Sequence, residues 1–202
     1  MPGIDLLISK YLSLEFKKNL DQNILKKIEK ELFFEHGMSI KLSIEHYEKF
    51  HNVLKKNLED DCKNFEKDCL DKIIQVNQNK NNYVVKIVDQ KLSDKIFDFY
   101  GDFETRKILM SLMGSELTIS EILKISRVLK SPAYRKIENL LLEGLILESG
   151  KILKNNKRVS RFSCIFDKVY AVINNDTIAL EGILNSIKFK HSSISKVGLF
   201  EN

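Results

Sequence analysis

Apolar residues recur at three- and four-residue steps through residues 1–76, the period of an amphipathic helix. Ile4, Leu7, Ile8, Tyr11 and Leu12 form one stripe, and Ile24, Leu25, Ile28 and Leu32 a second. Gly37 then supplies a helix stop, and Ser39 is placed to cap the next helix. Ile44, Tyr47, His51, Leu54, Leu58, Cys62, Phe65 and Cys69 step onward as one long helix, or as two with a break near Glu59-Asp60-Asp61. The resulting apolar seam over residues 44–73 suits packing inside a small bundle or against a second copy of the chain. Residues 77–82 are polar and poorly helical and read as a boundary. Tyr83–Val88 is rich in β-branched residues and predicts a short strand, and Leu92, Ile96, Phe99 and Tyr100 a helix leading into Gly101.

From Asp102 the punctuation becomes dense. Asp102 is placed to cap a helix buried through Ile108, Leu109, Leu112 and Met113 and closed by Gly114. Thr118-Ile119-Ser120-Glu121 has the spacing of a capping box, opening a second helix that buries Ile119, Ile122, Leu123 and Ser126. After a turn through Arg127-Val128-Leu129-Lys130, Ser131-Pro132 opens a third helix, with Pro132 at its first position. Ala133, Ile137, Leu140, Leu141 and Leu145 continue its buried side, Tyr134, Arg135, Glu138 and Asn139 its outer side, and Gly144 ends it. Leu145–Ser149 reads as a strand, followed by a basic loop with Lys151, Lys154 and Lys157 and a return strand from Arg158 to Phe166. Three helices followed by a basic hairpin predict a winged helix-turn-helix. The fold class expected is therefore mainly α with a small β-hairpin wing, in four segments. These are a helical N-terminal domain over 1–76, a linker with a short strand and helix over 77–101, the winged helix over 102–175 and a tail over 176–202. In the tail, Thr177–Ile187 reads equally as a helix or the end of a hairpin, and residues 191–202 as disordered.

Composition narrows the function classes. The 202 residues are 43% hydrophobic and 30% charged, enough to build a core. The longest charge-free run, Ile108–Ser115, is far too short to span a bilayer, and Asp5 and Lys10 interrupt any secretory signal. A cytoplasmic protein is expected. The net charge of +5 is concentrated late in the chain: Thr118–Arg161 carries 10 basic residues against 4 acidic ones, and all five arginines follow residue 105. Arginine suits bidentate contact with phosphate and guanine.

The runs Glu104–Leu109, Leu117–Ile122, Ala133–Ile137, Glu143–Ile146 and Lys157–Phe162 resemble, as a set, the winged helix of archaeal regulators similar to the arsenical-resistance regulator family. Residues 4–76, through Leu25–Phe33 and His36-Gly37-Met38-Ser39, resemble the small helical output domain named for the archaeon Nitrosopumilus. The resemblance implies a transcriptional regulator on double-stranded DNA, with the N-terminal domain as a signalling, partner or dimerisation surface. The reading helix lacks the clustered Cys or His of the family's metal-sensing members.

In such a fold the third helix enters the major groove. Arg135 is the candidate for base readout, Tyr134 for a thymine methyl or a phosphate, and Ser131 for a phosphate at the helix start. Arg127, Lys130 and Lys136 join the set from the turn and helix, and Lys154, Lys157, Arg158 and Arg161 from the wing. The competing assignment for Arg135 is an ion pair with Glu138, and for the wing a merely solvated hairpin. A protein-docking module is the alternative function, with Leu142, Ile152 and Leu153 as its apolar surface. No enzyme motif is present, and neither a cofactor nor a metal site is expected. His46 and His51 fall on different sides of a helix, and Cys62 and Cys69 read as small core residues.

Overall fold

A computed structural model describes residues 3–79, 82–154, 156–198 and 200. Helices α1 (Ile4–Asn19), α2 (Gln22–His36), α3 (Ile40–Ile44), α4 (Tyr47–Leu58) and α5 (Cys62–Asp71) build the N-terminal bundle. Their boundaries follow local chemistry. Asp21 accepts from the Asn23 amide at 2.8 Å to open α2, and Gly37 closes it at φ 64°. Ser39 caps α3 through the Leu42 amide. The break anticipated near Glu59 is a 3-10 turn over Glu59–Asp61, and a second break at Glu45-His46 separates α3 from α4. Ile44, Tyr47, Phe50, Val53 and Leu54 are wholly buried against the rest of the chain. Of the two packings the seam suits, inside a bundle or against a second copy, the structure shows the first: its apolar residues are the bundle's own core.

Strands β1 (Ile74–Asn79) and β2 (Asn82–Ile87) form a hairpin where the sequence predicts a polar boundary. Helices α6 (Gln90–Gly101) and α7 (Phe103–Leu112) follow, capped by Asp89 and Asp102. Then come β3 (Leu117–Thr118), α8 (Ile119–Ser126), α9 (Lys130–Leu142), β4 (Ile146–Lys154), β5 (Lys157–Cys164), β6 (Phe166–Ile173), β7 (Ile178–Leu184) and α10 (Ser186–Lys190), with a 3-10 turn at Ile194–Val197.

The strands make two antiparallel sheets, ordered β1-β2-β7-β6 and β3-β5-β4. This overturns the fold class read from the sequence. The molecule is not a helical protein carrying a small hairpin wing: β4 and β5 belong to a three-stranded sheet, and a second, four-stranded sheet draws its strands from the linker, the end of the 102–175 segment and the tail. Two local features misled the reading. The asparagine-rich 77–82 stretch contributes to both strands of a tight hairpin, where Asn79 pairs with Asn82. The supposed return strand stops at Cys164, and after Ile165 the chain enters the other sheet at Phe166. Ile165 joins the two. Its amide donates to the Leu145 carbonyl at 3.0 Å, and its carbonyl accepts from the Asn185 amide at 3.1 Å.

The tail is folded as far as it is described. Thr177–Ile187 is largely strand β7, paired with both β6 and β2. Ile194, expected in a disordered end, is wholly buried. Its amide and that of Ser193 donate to the buried Asp5 carboxylate at 3.2 and 2.7 Å, tying α1 to the far end of the chain. Gly144, at φ 75°, packs against the start of α1 so closely that a Cβ there would lie 2.6 Å from the Leu7 amide nitrogen. No described helix is long and apolar enough to cross a membrane.

Candidate nucleic-acid interface

Helices α8 and α9 and the β4–β5 hairpin carry every site residue named from the sequence. Three links hold them in place. The capping box forms: the Thr118 amide donates to Glu121 Oε2 at 2.8 Å, and the Glu121 amide to Thr118 Oγ1 at 3.4 Å. The Thr118 amide first, and then its hydroxyl, which also donates to Oε2 at 2.8 Å, hold the Glu121 carboxyl below its ordinary range. Strand β3 pairs with β5 through Leu117–Phe162 and Thr118–Arg161, fastening α8 to the hairpin. Asp102, the cap of α7, accepts from the Thr105 amide at 2.8 Å and from Lys136 Nζ of α9 at 2.6 Å. Lys136 foremost, then the Thr105 hydroxyl and amide, hold the Asp102 carboxyl well below the usual carboxylate range.

Helix α9 starts earlier than the sequence suggests. Leu129 occupies the cap position and Pro132 the third helical one, not the first. The first bonded amide is that of Ala133, to the Leu129 carbonyl at 3.0 Å, so the missing proline N–H still costs nothing. Leu129 offers no side-chain cap, which leaves the amides of Lys130 and Ser131 facing solvent at the positive end of a 13-residue helix. Ala133, Ile137 and Leu140 anchor the helix, while Lys130, Ser131, Tyr134 and Arg135 are exposed, Tyr134 at 45%. Arg127 ends α8 in the left-handed region, at φ 55°.

The structure sorts the eight basic candidates into two groups. Lys136 is held by Asp102, with Glu104 at 3.7 Å. Arg161 is clamped on Glu116: its Nε and Nη2 donate to the Glu116 carbonyl, Nε at 3.0 Å, and Nη1 lies 3.5 Å from the carboxylate. Both are structural ties between elements. Arg127, Lys130, Arg135, Lys154, Lys157 and Arg158 are exposed, and among the described residues none of them makes an ion pair or a side-chain hydrogen bond; the Arg135–Glu138 pair does not form. The expected basic loop is mostly strand, with Lys154 directly opposite Lys157 in the ladder and Leu153 opposite Arg158. Residues directly opposite in an antiparallel pair project to the same face, and like charges there repel. Exposed leucines stand among these cations: Leu129 at 76%, Leu142 at 70% and Leu153 at 72%.

One grouping was invisible in the sequence. His51, read there as part of the apolar stripe and as no partner for His46, lies against Glu66 and Cys62. The signal available was the one-turn spacing of Tyr47 with His51 and of Cys62 with Glu66, but nothing in the sequence says that those two helical turns face each other. Burial pushes the thiols of Cys62 and Cys69 up to about 12 and that of Cys164 to about 11, so all three are inert as nucleophiles at neutral pH. Compared with family models, with characterised proteins and with solved structures, the chain matches none.

Proposed function

We propose that the chain is a DNA-binding transcriptional regulator in which α9 reads the major groove and the β4–β5 hairpin contacts the backbone or the adjacent groove. The observation that carries this reading is the set of six exposed cations that make no ion pair or side-chain hydrogen bond among the described residues, two of them facing each other across the hairpin. A protein that places Lys154 against Lys157 accepts repulsion that an external polyanion relieves. Helix α9 and the β4–β5 hairpin are tied to their neighbours through Asp102 of the α7 cap and through β3, which supports their acting as one surface. Arg135 and Tyr134 project from the N-terminal half of α9, the part that meets base edges in major-groove reading, and the uncapped amides of Lys130 and Ser131 suit a phosphate. Lys136 and Arg161 leave the proposed contact set, because their charges are engaged by Asp102 and Glu116. A dimer would need a surface other than residues 44–73. The adjacent exposed side chains of Phe33 and Phe34 on α2 suit a partner of the N-terminal bundle.

The test is fluorescence anisotropy of the full chain on random duplex and on duplex from its own promoter, at two salt concentrations, beside Arg135→Ala. Steep weakening with salt is expected, together with a promoter preference that the variant loses at a cost of ~1–3 kcal/mol. Salt-sensitive binding blind to sequence and to the variant would leave a non-specific basic protein. The exposed Leu129, Leu142 and Leu153 favour a second reading, a protein-docking module, and absence of DNA binding even at low salt would put that reading first.

A further inference from the structure

Helices α4 and α5 bring four side chains together in the bundle interior, two from each helix and each pair one turn apart: Tyr47 with His51, and Cys62 with Glu66. His51 Nδ1 lies 2.8 Å from Glu66 Oε2 and 3.0 Å from Oε1, and Cys62 Sγ lies 3.6 Å from Oε2. One donor atom from each of His51, Cys62 and Glu66 falls within 4.8 Å of the others. Glu66 is wholly buried, Cys62 nearly so, and His51 is slightly exposed at the edge. Tyr47 is also wholly buried, with its hydroxyl interacting with the Glu66 carboxylate.

We propose that His51, Cys62 and Glu66 form a zinc site, with the Tyr47 hydroxyl beside its fourth position. A mixed nitrogen, sulfur and oxygen donor set suits zinc, whereas calcium and magnesium take oxygen ligands. Tetrahedral zinc at ordinary bond lengths separates such donors by roughly 3.3–3.6 Å. The Cys62–Glu66 separation is already close to that range, His51 and Glu66 need to part by about half an ångström, and His51 and Cys62, within 4.8 Å of each other, need to draw together. Charge balances as well. A dication with one thiolate, one carboxylate and one neutral imidazole is neutral overall, which a buried site requires. On binding, the Cys62 thiol proton passes to water and the His51 Nδ1 proton moves to Nε2, which leaves a neutral imidazole with Nδ1 free for the ion. Facing helices of a bundle are a common frame for such ligands.

The experiment uses the full chain after stripping with a chelator. Zinc chloride is titrated by calorimetry, and cobalt(II) is added in parallel for its thiolate charge-transfer absorption. One ion per chain and a charge-transfer band are expected. Cys62→Ser should abolish the band and weaken zinc binding by more than ~10-fold, the lower bound for losing even an outer partner of a metal site. Glu66→Gln, neutral and of the same shape, should weaken binding similarly, with circular dichroism confirming that both variants fold. No zinc uptake by the stripped wild-type chain, or equal affinity in folded Cys62→Ser, overturns the site.

Discussion

Asp102 joins two helices with one carboxylate: it caps α7 by accepting from the Thr105 amide and hydroxyl, and it pairs with Lys136 of α9. Its folded pKa lies below the unfolded one, so its stabilisation is present above the unfolded value, near pH ~4, and is lost as pH falls from there through the depressed folded value. Asp102→Ala should therefore cost about 0.5–2 kcal/mol at pH 7, mostly as a lost cap because the pair is half-exposed. In urea melts at stepped pH the gap to wild type should close below pH ~4; a gap independent of pH would remove the carboxylate from the account. Gly144 works by absence. A side chain there meets both a left-handed backbone and the Leu7 amide, and this contact is backbone on one side, so no rotamer relieves it. Gly144→Ala should cost more than ~2 kcal/mol, above the left-handed penalty alone, read as a fall in the urea midpoint.

Helices were legible in the sequence because their signals are local. Gly37, Ser39, Asp102 and the Thr118–Glu121 box all act within four residues, and each sits where its chemistry placed it. Strands were legible only in part, because a strand is defined by a partner. Nothing within residues 74–79 announces β2, and nothing in β6 announces that it leaves β5 to pair with β7. The candidate interface divides in the same way. Residue type picked out the cations, but which ones are engaged depends on Asp102 and Glu116, 34 and 45 residues away. The hairpin offers its own check. The double variant Lys154→Ala/Lys157→Ala removes a like-charge pair, so the thermal midpoint should hold or rise slightly, by ~0.2–1 kcal/mol in stability. In the same protein the slope of DNA affinity against salt should become shallower by about two phosphate equivalents. A destabilised variant with an unchanged slope would make the hairpin lysines structural.

Over the whole molecule, the junction at Ile165 has a consequence for how the protein opens. One residue donates its amide at the edge of the three-stranded sheet and lends its carbonyl to the turn that follows β7 of the four-stranded one. Neither sheet can come apart at that point without breaking the other's hydrogen bond, and the side chain between them is buried. Local opening should therefore stop short of this junction. In native-state hydrogen exchange the Ile165 and Asn185 amides are expected to exchange only through global unfolding, with one free energy shared by the cores of both sheets. Two distinct plateaus, one per sheet, would show that they open independently. If the single plateau is found, the last amides to yield to solvent are those at the seam between the two sheets, and the protein unfolds as one cooperative unit.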